Sequence, residues 1–193
     1  MKQRALLTKY PDPAQFIMDY NPDMQSKLLR YNATHADLAL NTTIPSLGLL
    51  ASTYGDETPI EWLKIQLGTL NDFTEVSTKL SPEQLNELSS LFLSEYYYVN
   101  VAEISLFISR FKMGQYGRFY GVIDPIKITR AMLDYITERR VDIERQKREQ
   151  YRLQCEKEIE ERGHNRISYA EYLSLKARAE KGDKEAQKQL LPP

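Results

Sequence analysis

The chain has 193 residues, 41% of them hydrophobic, and a net charge of −1, which suits one domain of ordinary size plus an appendage. No apolar run approaches the roughly 20 residues that span a bilayer, and the start M-K-Q-R-A-L-L-T-K-Y is too short in apolar residues for a signal peptide, so a cytoplasmic protein with no membrane partner is expected. Cys155 is the only cysteine, which excludes an intrachain disulfide; with His35 and His164 as the only histidines no Cys/His zinc site can be assembled, and no metal or cofactor is expected.

Taken in chain order, the pattern is almost wholly helical. Pro11, Pro13 and Pro22 punctuate an N-terminal arm with short helices over Ala14–Tyr20 and Asp23–Tyr31. The leucine-rich stretch Ala36–Tyr54 is broken at Pro45, and Asp56 opens a helix over Pro59–Leu67, followed by a link from Gly68 to Lys79. Ser81-Pro82 starts a helix with Leu85, Leu88, Phe92 and Tyr96 in register. Of the three rings Tyr96, Tyr97 and Tyr98, at least one must be exposed or seated against another element. Asn100 and Glu103 form a capping box for a helix carrying Val101, Ile104, Ile108 and Phe111 on one face. That helix ends at Gly114, and Asp124-Pro125 caps the next one. Ile128, Met132, Leu133, Tyr135 and Ile136 form a core face, after which the apolar pattern thins. Acid and base pairs four apart, such as Arg145 with Glu149 and Arg152 with Glu156, support an exposed helix ending at Gly163. Ser168 and Glu171 cap a further helix, and Gly182-Asp183 turns into a last one through Leu191. The expected fold is all-α: an N-terminal arm over 1–35, a compact helical core over 36–136, and a projecting charged helix with a C-terminal helical hairpin over 137–193.

Between the two best-capped helices lies an elbow, F-K-M-G-Q-Y-G-R-F-Y-G-V-I-D-P, rich in glycine, rings and cations. Charge is unevenly spread around it: −6 over residues 1–109, +5 over 110–152 and 0 over 153–193. A basic block beside an acidic half is the footprint of a nucleic-acid binder or of a protein that docks on an acidic partner. The candidate contact residues are Arg110, Lys112, Tyr116, Arg118, Tyr120, Lys127, Arg130, Arg139, Arg140, Arg145, Lys147 and Arg148, the cations for phosphates and the rings for bases. Arg118, flanked by Gly117 and Phe119, is expected at the surface, whereas most of the rings are expected to plug the core. Asp124 and Pro125 disfavour an anion site at the helix start they form.

The run S-E-Y-Y-Y-V-N-V-A-E-I-S-L-F-I-S-R-F-K-M-G-Q-Y-G-R-F-Y-G-V-I-D-P-I-K-I, Ser94–Ile128, resembles a family of uncharacterised proteins from gut bacteria, their phages and mobile elements. It is also similar to phage replication accessory proteins of the helicase-loader type, which share an aromatic helix, a glycine-aromatic elbow and an Asp-led helix. The resemblance implies an accessory factor in DNA replication, an adaptor between single-stranded DNA and a replicative helicase. A non-enzymatic assembly protein that forms a homo-oligomer through the long helix is the alternative. No Ser-His-Asp or Cys-His arrangement and no phosphate-loop lysine motif is present, and the carboxylates sit at caps or in charge-paired runs, so no enzyme is expected.

Overall fold

The computed structural model describes residues 2–164 and 168–190, and over these it is all-α, with eleven helices and no sheet. They are α1 (Lys2–Lys9), α2 (Pro13–Asp19), α3 (Asp23–Arg30), α4 (His35–Ala39), α5 (Leu47–Tyr54), α6 (Glu57–Phe73), α7 (Pro82–Glu95), α8 (Val101–Lys112), α9 (Pro125–His164), α10 (Tyr169–Glu180) and α11 (Lys184–Leu190). The expected capping boxes of α8 and α10 are both formed, and α7, expected to start at Ser81-Pro82, has one as well, between Ser81 and Gln84. Gly163 lies inside α9 rather than beyond its end, and Leu191 to Pro193 lie outside the described residues.

The chain divides into two compact units, Met1–Gln146 and Lys147–Pro193. In the first, α8 is buried along almost its whole length, from Val101 to Ser109, and α3, α4 and α6 pack against it. A helix enclosed on all sides must satisfy its own polar residues. Ser105 donates to the Val101 carbonyl (3.0 Å) and Ser109 to the carbonyls of Ser105 and Gln25 (2.7 Å each), while Glu103 pairs with Arg139. The Phe107 ring of α8 and, around the helix, those of Trp62, Phe92 and Tyr135 are excluded from water. Trp62 keeps its indole N–H satisfied by donating to the Tyr20 carbonyl (2.7 Å).

Three local expectations change. Leu6, Tyr10 and Phe16 are buried in the same cluster as Trp62 and Phe107, so the segment expected as an arm is part of the core. α6 runs through Gly68 to Phe73 without a break, because Leu67 and Leu70 continue its buried stripe and that burial outweighs a cost of about 1 kcal/mol for one glycine. Leu133, expected on the core face of α9, is 59% exposed, whereas His35 is only 2% exposed.

From 137 to 161 no residue of α9 is buried. Arg145 pairs with Asp142 (3.3 Å) rather than with Glu149, which takes Arg152 instead, and Arg152 also reaches Glu156 at 3.0 Å. In the second unit α10 and α11 form a hairpin that turns at Gly182 (φ +91°), held by an Arg178–Asp183 ion pair at 2.6 Å.

Candidate functional site

The elbow between α8 and α9 begins with a left-handed Gly114 (φ +81°), whose neighbour Gln115 closes the helix end by donating to the Arg110 carbonyl. Gly117 (φ +87°) then turns the chain back. The rings on either side of this turn hold it to the core: Phe119 stacks on Phe111 with centroids 5.1 Å apart, and Tyr116 lies 5.7 Å from Phe107. Gly121 (φ +71°) brings its carbonyl to the α6–α7 link, where the Ser77 hydroxyl (2.7 Å) and the Thr78 amide (3.1 Å) both donate to it. The Ile123 amide returns a bond to the Thr78 carbonyl at 2.9 Å. Asp124 caps α9 by accepting from the Ile126 amide (2.9 Å). Ring packing on the core and hydrogen bonds to the α6–α7 link thus fix the backbone of a segment with no regular structure of its own.

The expected contact residues separate into two groups. Five are occupied within the molecule. Arg110 donates to His35 and stands 3.8 Å from Glu138; Lys112 donates to the Gln25 side-chain oxygen (2.8 Å); the Tyr116 hydroxyl faces Glu138. Lys127 donates to the Arg118 carbonyl and lies near the Phe119 and Tyr120 rings, and Arg139 is paired with the buried Glu103 beneath the Tyr98 ring. By contrast Arg118, Tyr120, Arg130 and Arg140 are exposed, and Tyr120 keeps 84% of its surface in solvent. Arg145 is exposed with Asp142 beside it, and Lys147 and Arg148 are exposed residues of the second unit.

Two of the occupied cations, Arg110 and Arg139, border a polar cluster that the sequence did not disclose. His35 lies against the Tyr135 ring (4.5 Å), its Nε2 accepting from Arg110. Burial, reinforced by the Arg110 charge, lowers its pKa to about 4, so at neutral pH the imidazole is uncharged. Burial pushes the Glu103 carboxyl up, against the opposing pull of Arg139, and raises the Tyr116 and Tyr135 hydroxyls well above the ordinary tyrosine value. The capping box marked Glu103 as a helix-start residue; nothing in the one-dimensional pattern paired it with Arg139, 36 positions away. Of the tyrosine triplet, Tyr96 is buried while Tyr97 and Tyr98 are exposed, as three consecutive rings require.

Chemically, the exposed part of the elbow offers a guanidinium and a largely exposed aromatic ring on a held backbone. A guanidinium there can meet a phosphate or carboxylate, and the ring can stack. Among the described residues no group of three or more His, Cys, Asp or Glu side chains could hold a metal ion, and no helix is long and apolar enough to cross a membrane.

Neither the curated proteins nor the solved structures contain a significant match to this chain. Residues 79–184 match the model of DUF6633, a family of unknown function; they run from the end of the α6–α7 link to the first residue of α11 and include the elbow. That span is more than half of the 193 residues, and the chain belongs to the DUF6633 family.

Proposed function

We propose that this protein is a non-enzymatic adaptor that holds single-stranded nucleic acid at the α8–α9 elbow, as an accessory factor in the DNA replication of a phage or mobile element. The observation that carries this reading is the exposure of Arg118 and Tyr120 on a backbone held by ring packing and by hydrogen bonds to the α6–α7 link. A cation for phosphate and a ring for a base, two residues apart and both exposed, are displayed at low ordering cost. Arg130 and Arg140, both exposed on α9, add phosphate contacts without base preference. Such a surface binds strands with little sequence discrimination, as an adaptor handing DNA to a replicative helicase requires. The acidic residues 1–109 are the side on which that helicase is expected to dock.

Fluorescence anisotropy with a labelled thymidine oligonucleotide, titrated with salt, tests the contact. Arg118→Glu is expected to weaken binding at least about tenfold and to lower the salt slope by roughly one unit. Tyr120→Ala is expected to cost about 1–3 kcal/mol of affinity with the salt slope unchanged. Unaltered affinity in both folded variants removes the elbow from the site.

A second reading rests on a different feature. Val141, Tyr151, Leu153 and Ile159 are exposed apolar residues of α9, which suits self-association of this helix in an assembly protein. Concentration-dependent mass in light scattering, insensitive to salt, favours it over strand binding.

A further inference from the structure

The continuation of α6 through Gly68 has a spatial consequence at its far end. Leu70 stays buried, but Phe73, on the last turn, is 58% exposed, and the chain then leaves through Thr74, Glu75 and Val76. Beside this corner α8 ends with Phe111 and Lys112, and the elbow returns with Gly117, Arg118 and Phe119. Together these segments enclose a groove of about 360 Å³, open to solvent. Its volume falls within the range of small-ligand and anchor-residue pockets.

The walls specify what can occupy it. Leu70, Val76, Phe111 and Phe119 supply an apolar floor, and the Thr74 hydroxyl is already donated to the Leu70 carbonyl. An apolar side chain lies on that floor without losing a hydrogen bond, whereas a nucleobase would have to reach the charged rim to pair its polar edge. At the rim stand two cations, Lys112 and Arg118, and one carboxylate, Glu75. Lys127 reaches the same turn, its ammonium close to Gly117. Among the described residues neither Lys112 nor Arg118 forms an ion pair, and the half-buried Lys112 ammonium donates to a neutral amide oxygen, that of Gln25. That ammonium lies 5.7 Å from the centre of the Phe73 ring, and its burial outweighs the pull of the one carboxylate acting on it, Asp72, so a further carboxylate brought to it by a ligand stabilises it.

We propose that this groove is a docking site for an acidic peptide segment of a partner protein. The segment places one large apolar side chain on the floor beside Phe73 and sets a carboxylate on Lys112. The proposal rests on Phe73 and Lys112, not on the Tyr120 side of the elbow, so it can fail while strand binding holds, and the reverse.

The probe is a fluorescein-labelled peptide of aspartates flanking a single phenylalanine, titrated against the full chain in fluorescence polarisation. Controls replace the phenylalanine by serine or the aspartates by lysines. Saturable binding by the probe alone is expected, weakened at least about tenfold by Phe73→Ala and by Lys112→Glu. Phe73→Ala alters an exposed side chain and so keeps the test valid should Lys112→Glu lose its fold by circular dichroism. Binding of the serine control equal to that of the probe, no saturable binding, or full affinity in Phe73→Ala overturns the proposal. An oligonucleotide that displaces the peptide and itself weakens on Phe73→Ala assigns the groove to a strand. A fall in mass by light scattering on Phe73→Ala assigns it to a second copy, and either result also overturns it.

Discussion

The His35 imidazole is enclosed by groups from three elements: Arg110 of α8, Tyr135, Glu138, Arg139 and Asp142 of α9, and its own helix α4. Its folded-state pKa of about 4 lies below the ordinary histidine value near 6.5, so between those limits the unfolded chain binds more protons than the folded one. Stability attached to His35 is therefore complete above about pH 6.5 and lost as the pH falls towards 4, by up to about 3 kcal/mol. Glu103 acts with the opposite sign: its raised pKa gives a contribution that is complete below the ordinary carboxylate value and lost as the pH rises through the folded one. Because the two overlap, the isolating variant is His35→Gln, which keeps an acceptor for Arg110 but cannot take a proton. Urea unfolding across this pH range is expected to show a flatter profile for the variant. Parallel profiles in the two proteins would place the acid sensitivity elsewhere.

At the level of elements, two glycines carry opposite expectations. Gly68 is inside α6, and a Cβ added there would meet nothing within 4 Å. Alanine at this position restricts the unfolded chain without strain and is expected to stabilise by about 0.5–1 kcal/mol, raising Tm by roughly 2 °C. Gly121 also has open space around it, but its φ of +71° is a left-handed conformation, and its carbonyl is the acceptor that ties the elbow to Ser77 and Thr78. Alanine there is expected to cost about 1–2 kcal/mol. Thermal melts of the two variants should shift in opposite directions. A shift of the same sign in both would mean that backbone strain does not hold the elbow.

For the molecule as a whole, the core cluster ends at Ile136 and no described residue of α9 beyond it is buried. A chain stopped after Gln146, the end of the first compact unit, is expected to keep a cooperative melt, because each buried ring and the Glu103–Arg139 pair remain. It lacks Lys147, Arg148 and Arg152, so strand affinity and salt slope should fall while the dependence on Arg118 persists. If light scattering instead gives a lower oligomeric mass and strand binding is unaltered, α9 is an assembly element. A broadened, non-cooperative melt would show that the second unit supports the first.

Helix starts and stops were legible in the chain itself, since Asn100 with Glu103, Ser81 with Pro82, Ser168 with Glu171 and the glycines at 114 and 182 act on their nearest neighbours. The same locality made the all-α class and the display of Arg118 readable. Partnership was not. Arg110, Lys112, Lys127 and Arg139 look identical to Arg118 or Arg140 in a count of charge, and only long-range packing assigns Arg139 to Glu103 and Arg110 to His35. Helical periodicity likewise names a buried face without naming what covers it, which is why Leu6, Tyr10 and Phe16 joined the core unannounced and Gly68 failed to end α6. Local hydrogen bonding is encoded within a few residues of itself; burial, and the charges it traps, depend on segments that meet only when the whole chain has folded.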